Sequence, residues 1–157
     1  MSGSGKSTVA RYLSRQYGYV RCSVGENCRK ICVELFNSQE KRILNAFNDA
    51  VRSIDKMVWI RTATKNLKPG DLAVFDSMRF HDDWVYFKKA GFELWRIDCP
   101  YVRRTTNLVS RGQQFTPEDH VHPGETELEH HDFDYSLSNE TGDIGALLRQ
   151  VDSALGR

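Results

Sequence analysis

The 157 residues of the chain suit one domain with one hydrophobic core. The 22 Lys and Arg residues nearly balance 21 Asp and Glu residues, so the formal charge of +1 favours neither a nucleic-acid nor a membrane partner. The four cysteines form no C-x-x-C pair, and the sequence shows neither a secretory h-region nor a long apolar run, so we expect a reducing, cytoplasmic setting.

A glycine-rich segment at the start of the sequence is typical of the second half of a phosphate-binding loop. In such a loop, small residues let backbone N–H groups turn inward as an anion cradle, Lys6 reaches the outer phosphates of ATP, and the Ser7 hydroxyl binds Mg²⁺. A helix that begins near Lys6 adds its positive N-terminal dipole. We therefore predict that ATP binds to Ser2, Gly3, Ser4, Gly5, Lys6, Ser7 and Thr8.

The complete loop pattern, G-x-x-x-x-G-K-[ST], has a further glycine five positions before Gly5, and that position precedes Met1. A strand normally runs directly into such a loop, and the sequence shows none before Ser2. We therefore expect a sheet whose first strand is missing. The alternative is that Gly-Ser-Gly is a flexible linker, but the amphipathic pattern that follows at once favours the loop.

Helices and strands are predicted to alternate along the chain. Helical spacing of apolar residues predicts helices over 6–17, 28–36, 43–51, from 57 towards 63, over 81–90 and over 144–155. Short apolar runs predict strands over 19–23, 72–75, 93–98 and 135–139. This order indicates a single three-layer α/β domain over 1–157, with a mainly parallel sheet, right-handed crossovers and a helical insertion.

Two regions outside the sheet are predicted to hold substrates. Several helices separate the first two predicted strands, and we expect residues 24–66 to hold a second substrate. After Pro100, a basic helical segment is followed by a polar stretch with too few apolar residues for a core. Residues 101–125 are therefore predicted to form a mobile lid.

Asp76 follows the apolar strand 72–75. Ligands of open α/β sheets gather at the carboxyl ends of strands, so a carboxylate there is predicted to face the nucleotide or its Mg²⁺. The alternative is that Asp76 caps the following turn. Cys28 and Cys32 have the spacing of one helix face, but no nearby His or Cys completes a metal site, so core packing is expected.

Five motifs follow one another in a characteristic order along essentially the whole chain. They are Gly5-Lys6-Ser7-Thr8, Val51-Arg52-Ser53-Ile54-Asp55 with Trp59, Asp76-Ser77-Met78-Arg79-Phe80, His122-Pro123-Gly124-Glu125 with Leu128, and Asp134-Tyr135 before Asn139. In this order and spacing the chain resembles the phage-type deoxynucleoside monophosphate kinases, a family of P-loop nucleotide kinases. Gly124 stands where the family pattern has Ser.

The resemblance implies a P-loop kinase fold and transfer of the γ-phosphoryl group of ATP to a deoxynucleoside monophosphate, with Mg²⁺ required. Such transfer needs two anionic substrates held in line and positive groups where charge spreads in the transition state. Lys6 and the loop would then hold ATP, Ser7 would bind Mg²⁺, and Asp76 would orient the metal or contact the acceptor.

Three arginines in the lid region are candidates for the transition-state charge. Arg104 and Arg111 are seven residues apart, so a helix places them on one face, and both are predicted to be catalytic. Arg103 is predicted to contact ATP or to take the catalytic role of Arg104 or Arg111. The alternative for each of the three is a solvated surface charge.

Four further residues are predicted to contact the acceptor nucleotide. Arg52 and Arg79 lie in family-like motifs and are predicted to grip its phosphate, although Arg52 has Asp55 and Glu34 as alternative partners. Trp59 either stacks on the base or belongs to the core. Glu125 is predicted to close over the site, where it accepts a hydrogen bond from the base or positions an arginine.

Other functions stay open at this point. A P-loop kinase acting on a modified base or hydroxyl within DNA would need an open basic groove. A nucleotide-binding interaction module without catalysis is suggested by the missing strand. Dephospho-coenzyme A kinase is a related alternative that the 76–80 motif fits less well. A homodimer is compatible with each of these functions.

Overall fold

The structure is a computed structural model that describes residues 1–113, 116 and 118–157. Within these residues no helix is long and apolar enough to cross a membrane. The helices are α1 (Lys6–Tyr17), α2 (Val24–Phe36), α3 (Lys41–Ile54), α4 (Val58–Thr64), α5 (His81–Lys89), α6 (Tyr101–Val109), α7 (Glu118–Val121), α8 (Pro123–Thr126) and α9 (Ile144–Ala154). The strands are β1 (Val20–Cys22), β2 (Ala73–Phe75), β3 (Trp95–Asp98) and β4 (Tyr135–Ser138).

The strands form two parallel pairs. Strand β1 pairs with β2, with Val20 opposite Ala73, and β3 pairs with β4, with Trp95 opposite Tyr135. The mixed α/β class and the parallel pairing predicted from the sequence are confirmed. The expected continuous sheet is not found, because among the described residues no strand joins β2 to β3.

Helix α1 connects the glycine-rich loop to the main core. It begins after Gly5 and ends at Gly18, whose φ of 74° is a left-handed conformation that suits glycine. Its buried side chains pack against β4 and α9 in a cluster of Val9, Leu13, Leu137, Leu147 and Val151. Helix α9 begins as predicted, since the side chain of Asp143 accepts a hydrogen bond from the N–H of Ala146.

Helices α2, α3 and α4 share a second core of their own. Its buried members are Cys28, Cys32, Leu44 and Trp59. The prediction that the two cysteines serve core packing is confirmed, and burial raises the pKa of the Cys28 thiol to about 12. A helical region with its own apolar centre keeps its shape beside the sheets and presents its other faces to solvent and to the site.

An apolar cavity of about 500 Å³ is lined by both β2 and β3. Its wall also includes Val9 and Leu13 of α1, Phe87 of α5, and Met1. Residues of two strands and two helices therefore border one mainly apolar space, and β2 and β3 belong to separate strand pairs.

Candidate nucleotide-binding site

A second cavity, of about 540 Å³, lies beside the glycine-rich loop. Loop residues 2–7 form part of its wall, and the segment after β1, the start of α3 and the segment after β2 form much of the rest. Helix α8 contributes Glu125, and Arg111 lies in the wall just after α6. The cavity therefore joins the predicted phosphate loop to residues that the sequence assigns to a second substrate.

The loop conformation depends on two glycines. Gly3 and Gly5 have φ values of 78° and 110°, a region that other residues rarely adopt. A Cβ at Gly3 would lie 2.6 Å from the carbonyl oxygen of Arg104, so α6 packs directly against the loop. The side-chain amides of Asn107 and Asn139 each donate a 2.9 Å hydrogen bond to a loop carbonyl. The loop is thus fixed from two sides.

Lys6 lies in the first turn of α1 and borders both cavities. Its ammonium group donates a hydrogen bond to the carbonyl of Met1 and lies 3.4 Å from the hydroxyl of Ser4. Burial, followed by the positive charge of Arg79, lowers the pKa of Lys6 to about 8. A desolvated ammonium group beside another cation provides strong attraction for an anion.

Asp76 lies where β2 ends, as predicted, and its carboxylate is buried. One oxygen accepts hydrogen bonds from Nε and Nη2 of Arg21, at 3.1 and 2.6 Å, and the other accepts one from the Ser23 hydroxyl at 3.0 Å. These partners belong to β1 and its end, so Asp76 connects the two strands at the edge of the cavity.

The two residues predicted to bind Mg²⁺ would supply only a few of its ligands. Ser7 and Asp76 border the same cavity, and Mg²⁺ prefers oxygen ligands of these two kinds. In the described part of the chain no group of three His, Cys, Asp or Glu side chains is placed to hold a metal. Phosphate oxygens and water would therefore supply most of the ligands.

Glu125 is the centre of a cluster of positive groups. Its Oε1 accepts hydrogen bonds from Arg79 at 2.5 Å, from the Ser2 hydroxyl at 2.6 Å and from Lys41 at 3.0 Å. Its Oε2 accepts one from the backbone N–H of Ser2 at 2.5 Å, and the amino group of Met1 lies 4.0 Å away. Although burial opposes ionisation, the charges of Arg79 and Lys41 hold the pKa of Glu125 well below its ordinary value.

Two residues predicted to bind the acceptor contact other parts of the protein. Arg52 donates hydrogen bonds to Asp83 at 3.0 Å and to the carbonyl of Lys56 at 2.8 Å, and its guanidinium lies 3.9 Å from the centre of the Phe80 ring. Its acidic partner is thus Asp83, not Asp55 or Glu34. Trp59 is only 4% exposed and packs in the core of the helical region, so it borders neither cavity.

The three arginines of the predicted lid have different surroundings. Arg111 borders the loop cavity. Arg104 lies over the ring of Tyr101, at 5.7 Å from its centre, and Arg103 packs so closely against Gly142 that a Cβ there would lie 2.9 Å from its guanidinium. Within the predicted lid, 101–125, the structure describes α6, α7 and α8, and residues 114, 115 and 117 lie outside the described residues.

The sequence analysis missed two basic residues of the site. Arg21 lies in the middle of β1 opposite Val74, two residues before Asp76, so the parallel register brings the pair together. The alternation of side chains in a strand was the available signal. Lys41 begins α3 and belongs to none of the motifs, so nothing local marked it as a partner of Glu125.

Neither a scan against protein-family models nor a comparison with curated proteins gives a match for this chain. An activity must therefore be argued from the residues of the site.

Proposed function

We propose that the protein is a P-loop nucleotide kinase that transfers the γ-phosphoryl group of ATP to a deoxynucleoside monophosphate. One observation carries this proposal: a single cavity is bordered by the glycine-rich loop and also by Arg79 and Lys41. Two anion-binding groups that face one space suit a reaction between two phosphates. In this proposal residues 24–66 hold the acceptor, and residues 101–125 form the lid.

The loop side of the cavity suits ATP. The left-handed glycines turn the backbone, α1 directs its N-terminus at the loop, and Lys6 supplies the positive charge. The first N–H groups of a helix lack partners in a preceding turn, and for this reason helix N-termini attract phosphate oxygens. In α1 the N–H of Thr8 already donates to the carbonyl of Gly5 at 2.9 Å, which leaves Lys6 and Ser7 as the candidates for this contact. Ser7 and Asp76 would hold Mg²⁺, which when bound neutralises charge on the ATP phosphates.

The part of the cavity wall around Arg79 and Lys41 suits the phosphate of the acceptor. Arg79 follows β2 and offers a planar guanidinium, and Lys41 adds a second positive charge from α3. In the reaction an acceptor phosphate oxygen forms a bond to the γ-phosphorus, the bond from that phosphorus to the β–γ bridging oxygen breaks, and ADP leaves. Arg111 borders the same cavity and in this proposal stabilises the charge that spreads in the transition state.

The proposed activity also agrees with the cysteines. Cys22, Cys28, Cys32 and Cys99 are all free thiols. Free cysteines and a free nucleotide substrate suit a cytoplasmic enzyme.

The test is ATP- and Mg²⁺-dependent phosphorylation across a panel of ribo- and deoxynucleoside monophosphates, modified pyrimidines, dephospho-coenzyme A and DNA oligonucleotides. We expect diphosphate formation from one or more deoxynucleotides. Lys6→Ala should lower the rate by about 100-fold or more, whereas Lys89→Ala, which removes an exposed lysine on α5, should leave it unchanged.

The same panel separates the competing functions. Phosphorylation of DNA alone, with binding that weakens steeply as salt rises, would replace the proposal by a DNA-modifying kinase. ATP binding without turnover on any acceptor would replace it by a nucleotide-binding module.

A further inference from the structure

The Glu125 carboxylate has the surroundings that a phosphate group would require. It is bound by a guanidinium, an ammonium, a hydroxyl and a backbone N–H of the loop, and only 2% of the side chain is exposed. These are the donors that proteins use for phosphate oxygens. They come from three separate places in the chain, namely the loop, α3 and the segment after β2.

Positive charge exceeds negative charge around this carboxylate. Arg79 and Lys41 both face Glu125, and Lys6 lies close enough that Arg79 lowers the pKa of Lys6. Burial and the charge of Arg79 also lower the pKa of Lys41. Asp119 and Asp76 contribute weaker attraction from farther away. A group with more negative charge than one carboxylate would therefore be bound more strongly at the same position.

Glu125 belongs to a helix of a single turn. Helix α8 has four residues, and its contacts include a hydrogen bond from the N–H of Gly124 to the ring of His122. A helix of one turn has little intrinsic stability, so its position depends on contacts such as those of Glu125.

We propose that the Glu125 carboxylate occupies the binding position of the acceptor phosphate, and that this phosphate displaces it from Arg79 and Lys41. Lys41 thereby becomes a binding residue for the nucleoside monophosphate. This inference rests on the proposed kinase function for the identity of the ligand. The anion site itself is tested without turnover.

The test compares binding of inorganic phosphate to the wild type and to Glu125→Gln by calorimetry, at constant ionic strength. The wild-type site is open for phosphate only in the fraction of molecules whose carboxylate has moved away, and apparent affinity falls by that fraction. We expect Glu125→Gln to bind phosphate about tenfold more tightly or better, because a minor state of this kind is typically populated at 10% or less. Phosphate should also raise the Tm of Glu125→Gln more than that of the wild type.

Two further variants make the result specific. Glu26 borders the same cavity and pairs with Arg21 at 2.6 Å. Glu26→Gln therefore removes an equal charge from the cavity wall, and this variant should bind phosphate with the affinity of the wild type. Adding Lys41→Ala to Glu125→Gln should abolish most of the gain. If Glu125→Gln is unfolded in phosphate-free buffer, phosphate should refold it.

Three outcomes would overturn the inference. These are equal or weaker phosphate binding by Glu125→Gln, an equal gain in Glu26→Gln, and an unfolded Glu125→Gln that phosphate does not refold. Each would show that Glu125 positions Arg79 as a permanent partner. The nucleotide panel tests the kinase function separately. If the wild type shows no turnover but Glu125→Gln gains phosphate affinity, the anion site is supported and only the kinase function is rejected.

Discussion

Arg21 and Asp76 join β1 to β2 at the edge of the cavity beside the glycine-rich loop. Two nitrogen atoms of the guanidinium donate to one oxygen of a carboxylate that is almost completely buried. The two residues are 55 positions apart, and the parallel register alone brings them into contact. This pair, together with the Ser23 hydroxyl, fixes the orientation of the Asp76 carboxylate.

We therefore expect Arg21→Met to destabilise the fold. Removing the arginine leaves a buried carboxylate without its countercharge, and the free energy of unfolding should fall by about 3 kcal/mol, the lower end of the range for a broken buried pair. Urea denaturation followed by circular dichroism measures the change. Glu26→Gln removes only the more exposed partner of Arg21 and should cost less than about 1 kcal/mol. Equal losses in the two variants would show that the Asp76 pair has no special weight.

Lys6 gives the stability a dependence on pH. Its folded pKa of about 8 lies below its ordinary value of 10.5, so the folded state binds its proton less well than the unfolded state does. The resulting destabilisation is complete below pH 8 and declines as pH rises towards 10.5. Lys6→Met should therefore be more stable than the wild type at pH 7, with a difference that shrinks over this window. The positive charge of Lys6 also lowers the pKa of the Met1 amine, well below its ordinary value, so this group titrates below the pH window of Lys6.

Thermal melts of both proteins from pH 7 upward check this prediction. A stability difference that does not change with pH would mean that Lys6 keeps its ordinary pKa in the folded protein. A difference that grows with pH would mean that Lys6 gains an anionic partner on folding.

The local elements could be predicted from the sequence, because apolar spacing and glycine positions determine them. Helix α1 has the predicted bounds, and all four predicted strands exist, although each is shorter than expected. Contacts between distant residues could not be predicted. The pairing of Lys41 with Glu125 spans 84 positions, and helical spacing alone does not distinguish a core role for Trp59 from stacking on a base. The gap between β2 and β3 likewise depends on packing of the whole chain.

The structure separates the two arginines that the sequence treats as equivalent. Arg111 borders the cavity beside the glycine-rich loop, whereas Arg104 lies over Tyr101 and supports the loop through its backbone contact with Gly3. We expect Arg111→Ala to lower kcat by about 1,000-fold with little change in ATP affinity, since the contact that we propose for Arg111 is made in the transition state. Arg104→Ala should lower kcat far less.

Steady-state kinetics, with ATP binding measured by calorimetry, check this difference. Loss of ATP affinity without loss of rate in Arg111→Ala would contradict the assignment of Arg111 to the transition state. A larger loss of rate in Arg104→Ala would transfer that role to Arg104.

The apolar cavity between β2 and β3 predicts that the fold gains stability from an added strand. Both strands present an edge to this space, Met1 lies in its wall, and the loop that begins at Ser2 leads away from it. We expect an upstream extension, made of a β-branched apolar run as long as β3 and a short segment containing glycine, to pair with both edges and to bury apolar surface. A gain of about 2 kcal/mol corresponds to a rise in Tm of about 4–8 °C for a chain of this size. An extension of equal length made of Gly and Ser is the control, because it cannot fill the cavity. Equal Tm values for the two extended proteins would show that the two separate sheets are stable without a strand between them.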